Sequence, residues 1–397
     1  MGGVVGHLMH LYDNRDLTFD EIVNILTSAA TGNLEKVSEK LDGLNLVFSW
    51  DISNDTLKTA RAGGDIPRGG MNAEQLADKF RGRGNLTDAF SSAFKVLNGA
   101  IGSLPVETKE KVFGPRTNVW YSVEIIYTKN PNVINYDSNN IVFHGWPVFN
   151  LNNGKVEMSE DDIGGVDILT KNISMMQAAV AETGWRVRGP ALARMKKLSD
   201  DTILNDTISK IIEELSLTGL DGSATMRDYI EVKTRYDAEE LGLSPDIIEM
   251  IVQRCMAEPG APTLVDIRRN ADKSDHGTIT DFIRSCPDRM KSYVRPIELA
   301  INDFAIELLK GLESTLVSKT DDEVQRLRSV LKSQIAKIES SGDENAMTTL
   351  KSQMEKLKSI ENVTSPVEGV VFIYKGNAYK FTGSFAAANR ILGLFRY

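Results

Sequence analysis

Strand patterns stand at both ends of this chain and a long helical pattern fills its middle; that arrangement limits the possible folds more than any other feature. Residues 44–50, 119–127 and 140–146 are short runs rich in β-branched and aromatic side chains, and read as strands. The same signal returns at 367–374 and 378–382, on either side of the turn Lys375-Gly376-Asn377. Between them, strand signals almost vanish from 161 to 361. The simplest architecture is α+β, with a split core of antiparallel sheets and helices formed by 1–160 and 361–397, and an all-helical insertion at 161–360.

Helical spacing is clear in three places. Leu17, Phe19, Ile22, Ile25 and Leu26 predict a helix over 16–27, and 72–100 alternates apolar and charged residues as a surface helix pair would. Thr320 and Glu323 read as a capping box ahead of the stripe Val324, Leu327, Leu331, Ile335 and Ile338. After the turn at 340–343, Met347, Leu350, Met354 and Leu357 form a second stripe, so an antiparallel helical hairpin is expected. Its apolar face either packs on the rest of the block or meets a partner.

Composition narrows the function classes. The 397 residues hold 46 Lys+Arg against 55 Asp+Glu, a formal charge of −9, which argues against a whole surface that binds nucleic acid but permits a local basic groove. No run approaches the roughly 20 apolar residues of a membrane span, and the N-terminus lacks a signal-peptide pattern, so no membrane partner and a cytoplasmic location are expected. Cys255 and Cys286 match neither a disulfide framework nor a metal motif and read as buried small side chains. His7 and His10, with no further His or Cys nearby, read as structural.

The chemistry concentrates in a few residues. Lys40-Leu41-Asp42-Gly43 sets a lysine before a tight turn and a strand, where its amine can be aimed into a pocket. A lysine attacks as a nucleophile only when neutral, so its pKa must fall through burial or neighbouring positive charge. Glu124 sits in an otherwise apolar strand, Glu368 opens the strand near the C-terminal end, and Lys380 lies on the next one. Two acids and two lysines on neighbouring strands suit a metal-triphosphate attacked at its α-phosphate. The phosphate loop GxxxxGK[ST] is absent.

This ordered set resembles the motifs of the covalent nucleotidyltransferases, the superfamily of ATP-dependent DNA and RNA ligases and mRNA capping enzymes. Lys40 to Gly43 match the nucleophile motif KxDG, Glu124 the acidic strand motif, Glu368 to Val371 the EGVV-type motif, and Lys380 the lysine motif. Glu39, Lys40, Gly43 and Asn45 match the EKxxGxN of bacteriophage RNA ligases, and Lys58 to Arg61 their short basic strand. The N-terminal stretch also looks like ligase-like proteins of large tailed phages, which would place the chain in the host cytoplasm. The resemblance implies ATP as co-substrate, Mg2+ or Mn2+, and a Lys40-AMP intermediate. Glu39, Asp42, Asn45 and Arg61 would lie around the nucleotide, Glu124 on the ribose, Phe143 against the adenine, Glu368 on the metal and Lys380 on the α-phosphate. RNA joining is favoured, with DNA nick sealing or a ligase-like structural phage protein as alternatives. Where the family usually has two lysines one residue apart, Ala378 and Thr382 flank Lys380.

Two basic stretches are candidates for gripping a strand. Residues 183–199 hold Arg186, Arg188, Arg194, Lys196 and Lys197 without an acid, and Trp185 offers a face for a base. Residues 57–83 hold Lys58, Arg61, Arg68, Lys79, Arg81 and Arg83. For both, the alternative is a solvated surface.

Overall fold

The computed structural model describes residues 8–114, 118–159, 163–191, 193, 195–257, 259–312 and 314–395. The chain divides into two compact units: Met1–Leu8, Glu35–Met195 and Leu309–Tyr397 form the first, Met9–Leu34 and Lys196–Leu308 the second. Among the described residues, no helix is long and apolar enough to cross a membrane.

The first unit is mixed α+β. Its strands are β1 (Ser38–Lys40), β2 (Leu44–Asp51), β3 (Thr56–Ala60), β4 (Val119–Ile126), β5 (Asn139–Asn152), β6 (Lys155–Ser159), β7 (Trp185–Arg188), β8 (Gly369–Tyr374) and β9 (Asn377–Thr382). One sheet runs β3-β2-β4-β5-β6, with β7 added in parallel on β5, and the other runs β1-β8-β9. The sheets are otherwise antiparallel. The β1–β8 ladder joins the two strand-rich ends of the chain, pairing Lys40 with Gly369 and Ser38 with Val371. Glycine is required here, because a Cβ on Gly369 would run into Phe381 O.

Alternation along the strands sorts the two faces of the larger sheet. Leu46, Phe48, Tyr121, Val123 and Phe143 face a core closed by the helices Asn85–Gly102 and Val106–Phe113. A second core gathers Leu41, Ile126 and Val133 with Leu327, Leu331, Leu350 and Leu357 of the helical hairpin Thr320–Ser341 and Glu344–Leu357. The hairpin stripes are therefore core rather than a partner surface. Gly342 ends the first helix in the left-handed region, at φ +69°, and the Asp343 side chain caps the second by accepting from Ala346 N–H at 2.9 Å. The expected capping box does not form: Lys319 holds the cap position, while buried Glu323 accepts from Asn135 N–H at 3.0 Å and pairs with Arg326.

Three other features depart from the expected organisation. The helical block is not all helical, because β7 extends the larger sheet from within it. Residues 161–195 and 309–360 belong to the unit built around the sheets, whereas the helix Phe19–Ala30 belongs to the other. That second unit is helical, with the helices Thr202–Ser216, Met226–Glu239, Pro245–Met256 and His276–Leu309 around Phe19, Tyr229, Ile251 and Phe304. Cys255 and Cys286 are joined there by a disulfide, 6.0 Å between Cα atoms, which corrects their reading as buried small side chains outside any disulfide framework. His10 stacks on Tyr12, a structural role; His7 lies outside the described residues.

Candidate active site

Between the two sheets of the first unit lies a cleft of about 250 Å³. Lys40 of β1 and Val371 of β8 line one side; Asn45 of β2, Ser122 and Glu124 of β4, and His144 and Trp146 of β5 line the other, with Arg61 just beyond β3. Antiparallel pairing sets Asn45 directly opposite Glu124, so the two side chains share a face. The turn that brings Lys40 to them needs glycine: a Cβ on Gly43 would lie 2.7 Å from Ile125 O and 2.8 Å from Glu124 Cγ.

Lys40 Nζ donates to Glu368 Oε1 in an ion pair that is only partly exposed, with 22% and 15% of the two side chains accessible. Burial pushes the Glu368 pKa up to about 7; Lys40 opposes the rise, and Asp42 and Glu124 add to it. Glu124 is buried and its Oε2 lies 3.1 Å from His144 Nε2. Burial draws the Arg61 pKa down, and Glu124 works against that shift. Arg61 is positioned through its backbone, since Asp65 Oδ2 accepts from the N–H of Arg61 at 2.9 Å and of Ala62 at 2.8 Å. Burial disfavours the Asp65 carboxylate, but Lys79, these two N–H groups and Arg68 outweigh it and hold its pKa at about 2.

Several expected nucleotide contacts have other structural roles. Glu39 lines the cleft but is buried, accepting from the N–H and hydroxyl of Thr315 at 3.0 and 3.1 Å, and burial raises its pKa. Asp42 turns away from the cleft and organises residues 132–136: it accepts from Val133 N–H at 2.7 Å, Ile134 N–H at 2.8 Å and Asn132 Nδ2, while its own N–H donates to Tyr136. Phe143 does not meet the cleft either; it is 1% exposed and packs on Phe48 with ring centroids 5.6 Å apart. The alternation of β5 aims Phe143 into the core and His144 at the cleft. Lys380 pairs with Val371, which pairs with Ser38, so Lys380 shares a sheet face with Lys40, two strands across and two residues along, or about 12 Å.

The basic stretches are also redistributed. Trp185 is 5% exposed and stacks on Tyr127 at 5.7 Å, so its ring is a core element rather than a platform for a base. Arg188 Nε donates to Asn140 Oδ1 at 2.8 Å, and Arg186 is exposed. The register runs Arg188, Val142, Glu124, Asn45 across four strands, which carries this segment to the row of the cleft acids. Arg194 lies outside the described residues, and exposed Lys196 and Lys197 belong to the helical unit. In the other stretch, Lys58 pairs with Asp51, Arg68 and Lys79 with Asp65, and Arg81 with Asp78; Arg83 lies over the Phe80 ring. Of those six, Arg61 is the one that lines the cleft.

His144, Ser122 and Trp146 were not legible as site residues. The signal available for Ser122 was the period-two alternation of β4, which places it with Glu124; His144 and Trp146 lie in an irregular stretch of β5, between Phe143 and Val148, and both line the cleft. Asn45 Nδ2 donates to Ser122 Oγ at 2.7 Å, and Asn45 Oδ1 is buried without a protein partner, an acceptor available to a ligand.

Among the described residues, no group of three or more His, Cys, Asp or Glu side chains is gathered for a metal. Glu124 and Glu368, close enough for their charges to interact, nevertheless suit a magnesium ion that takes its other ligands from water and phosphate. No protein-family model, curated protein or solved structure matches this chain.

Proposed function

We propose that this chain is an ATP-dependent polynucleotide ligase working through a covalent Lys40-AMP intermediate, with RNA as the favoured strand. The observation that carries the reading is the meeting of Lys40 and Glu368, far apart in sequence, at a cleft lined by Arg61, Asn45 and Glu124. A lysine, a carboxylate and an arginine lining one cleft, with a second carboxylate paired to that lysine, match the demands of attack on an α-phosphate.

In this reading Lys40 Nζ attacks the α-phosphorus of ATP. The Nζ–P bond forms as the bond to the pyrophosphate oxygen breaks, and the proton released by Nζ passes to solvent through the open side of the cleft. Arg61 and Lys380 balance the charge that develops on the phosphate oxygens, an effect worth most in a site shielded from water. Asn45 Oδ1 and Glu124 accept from the ribose hydroxyls. Glu368, with Glu124, would hold Mg2+ or Mn2+, whose charge would neutralise the triphosphate. A 5′-phosphate then displaces Lys40 from AMP, and a 3′-hydroxyl attack on the activated end seals the strand and releases AMP. Arg188, in the row that leads from Glu124, and Arg186, two residues before it on β7, would guide the strand.

The test is incubation with ATP labelled at either the α- or the γ-phosphate, with magnesium, followed by denaturing electrophoresis. Label retained from the α-phosphate alone supports the reading; no retained label overturns it. A panel of nicks with RNA or DNA on each strand then separates RNA joining from DNA sealing. Adenylation without sealing of any nick would point to a different acceptor.

A further inference from the structure

We propose that the indole N–H of Trp146 reads the base of the bound nucleotide, donating a hydrogen bond to an acceptor atom on its heterocycle. The inference rests on the nucleotide reading of the cleft and adds a specificity residue to it. A shielded indole N–H ordinarily finds an acceptor. Trp50 does so, donating to Asp55 Oδ1 at 3.1 Å. Trp146 Nε1 is shielded and has no partner in the protein, although Trp146 lines the cleft. Trp120 Nε1 is also unmatched, but it lies in a separate apolar cluster with Val47, Ile66 and Phe149.

A second unmatched atom in the same cleft has the opposite polarity. Asn45 Oδ1 asks for a donor and Trp146 Nε1 for an acceptor, so the cleft suits a ligand that carries both. Their positions assign the two ends. Asn45 stands opposite Glu124, whereas Trp146 lies further along β5 from Val142, the partner of Glu124, in the irregular stretch between Phe143 and Val148. Pro147 and Leu8 line the cleft as well and give it an apolar contribution suited to a flat ring. With phosphates at Lys40 and ribose at Glu124, the base extends toward Trp146. Phe143, the aromatic expected to meet it, is committed to the core.

The structure supplies its own reporter. Trp50, Trp120 and Trp185 are buried, so Trp146 is the half-exposed tryptophan of the four. The experiment titrates the full chain and its Trp146→Phe variant, which keeps a ring and loses the N–H, with ATP and with inorganic tripolyphosphate. Calorimetry and tryptophan emission are read together. The proposal expects ATP, and not tripolyphosphate, to change the emission of the parent. It expects Trp146→Phe to bind ATP about tenfold more weakly, tripolyphosphate unchanged, and to lose the emission response. Parent-like ATP affinity in the variant, or equal loss for both ligands, overturns the role of Trp146 and leaves the nucleotide reading standing. A parent that binds none of ATP, GTP, CTP and UTP overturns both. Should the variant not fold, an ATP-silent emission in an ATP-binding parent overturns the proposal by itself.

Discussion

Lys40 and Glu368 are 328 residues apart in sequence and form an ion pair where β1 meets β8. The pair fastens the two strand-rich ends of the chain at the mouth of the cleft. It also places a carboxylate with a raised pKa against the one lysine that both the sequence pattern and the cleft single out.

The raised pKa of Glu368 predicts a particular pH dependence. In the unfolded chain the carboxyl ionises near 4.5, and in the folded chain near 7. Between those values the folded state binds the extra proton, so this residue makes the protein less stable as pH rises through that window; above about 7 the cost is constant. Glu368→Gln removes the titration. Denaturant unfolding should show the variant gaining on the parent by about 3 kcal/mol between pH 4.5 and 7, and no further above it. A pH-independent difference would contradict the shift.

Phe143 should behave as a core residue. Phe143→Leu is expected to lower stability by about 1–2 kcal/mol, through lost contact with Phe48, while leaving ATP affinity unchanged. Thermal melting paired with nucleotide titration checks this. A large loss of affinity without a loss of stability would return Phe143 to the ligand.

The Cys255–Cys286 bridge closes a sequence separation of 31 residues in the helical unit, for which loop-closure entropy suggests about 3–4 kcal/mol. Reduction should lower the unfolding transition of that unit, and Cys255→Ser/Cys286→Ser should reproduce the effect and abolish further sensitivity to reductant. A parent whose melting is indifferent to reductant would show that the bridge does not stabilise the fold.

Much of the frame was legible in the sequence, for physical reasons. Strands β2, β4, β5, β8 and β9 carry dense β-branched and aromatic runs, and the hairpin 320–357 carries long apolar stripes, signals that local pattern exposes. Strands β1 and β7 are three and four residues long and owe their pairing to distant partners, which no local window reports. The two cysteines likewise sit on separate helices, and their meeting is a tertiary fact.

The candidate site divides in the same way. Lys40, Asn45, Arg61 and Glu124, which the family resemblance singled out, line one cleft, and Glu368, which it assigned to a metal, pairs with Lys40. Asp42, Phe143 and Trp185 carry attractive chemistry by residue type but are used elsewhere: Asp42, in the turn after β1, is held by the N–H groups of Val133 and Ile134, and the strand residues Phe143 and Trp185 pack in the core. A shift of one position separates Phe143 in the core from His144 at the site, and residue type alone does not report it.

The central claim is that Lys40 becomes covalently adenylated. The most direct measurement is intact mass followed by peptide mapping of the full chain after incubation with ATP and magnesium, with Lys40→Ala alongside. The predicted result is one added AMP on the peptide that carries Lys40, and none on a folded Lys40→Ala variant. An unmodified parent, or AMP retained by Lys40→Ala, would contradict it.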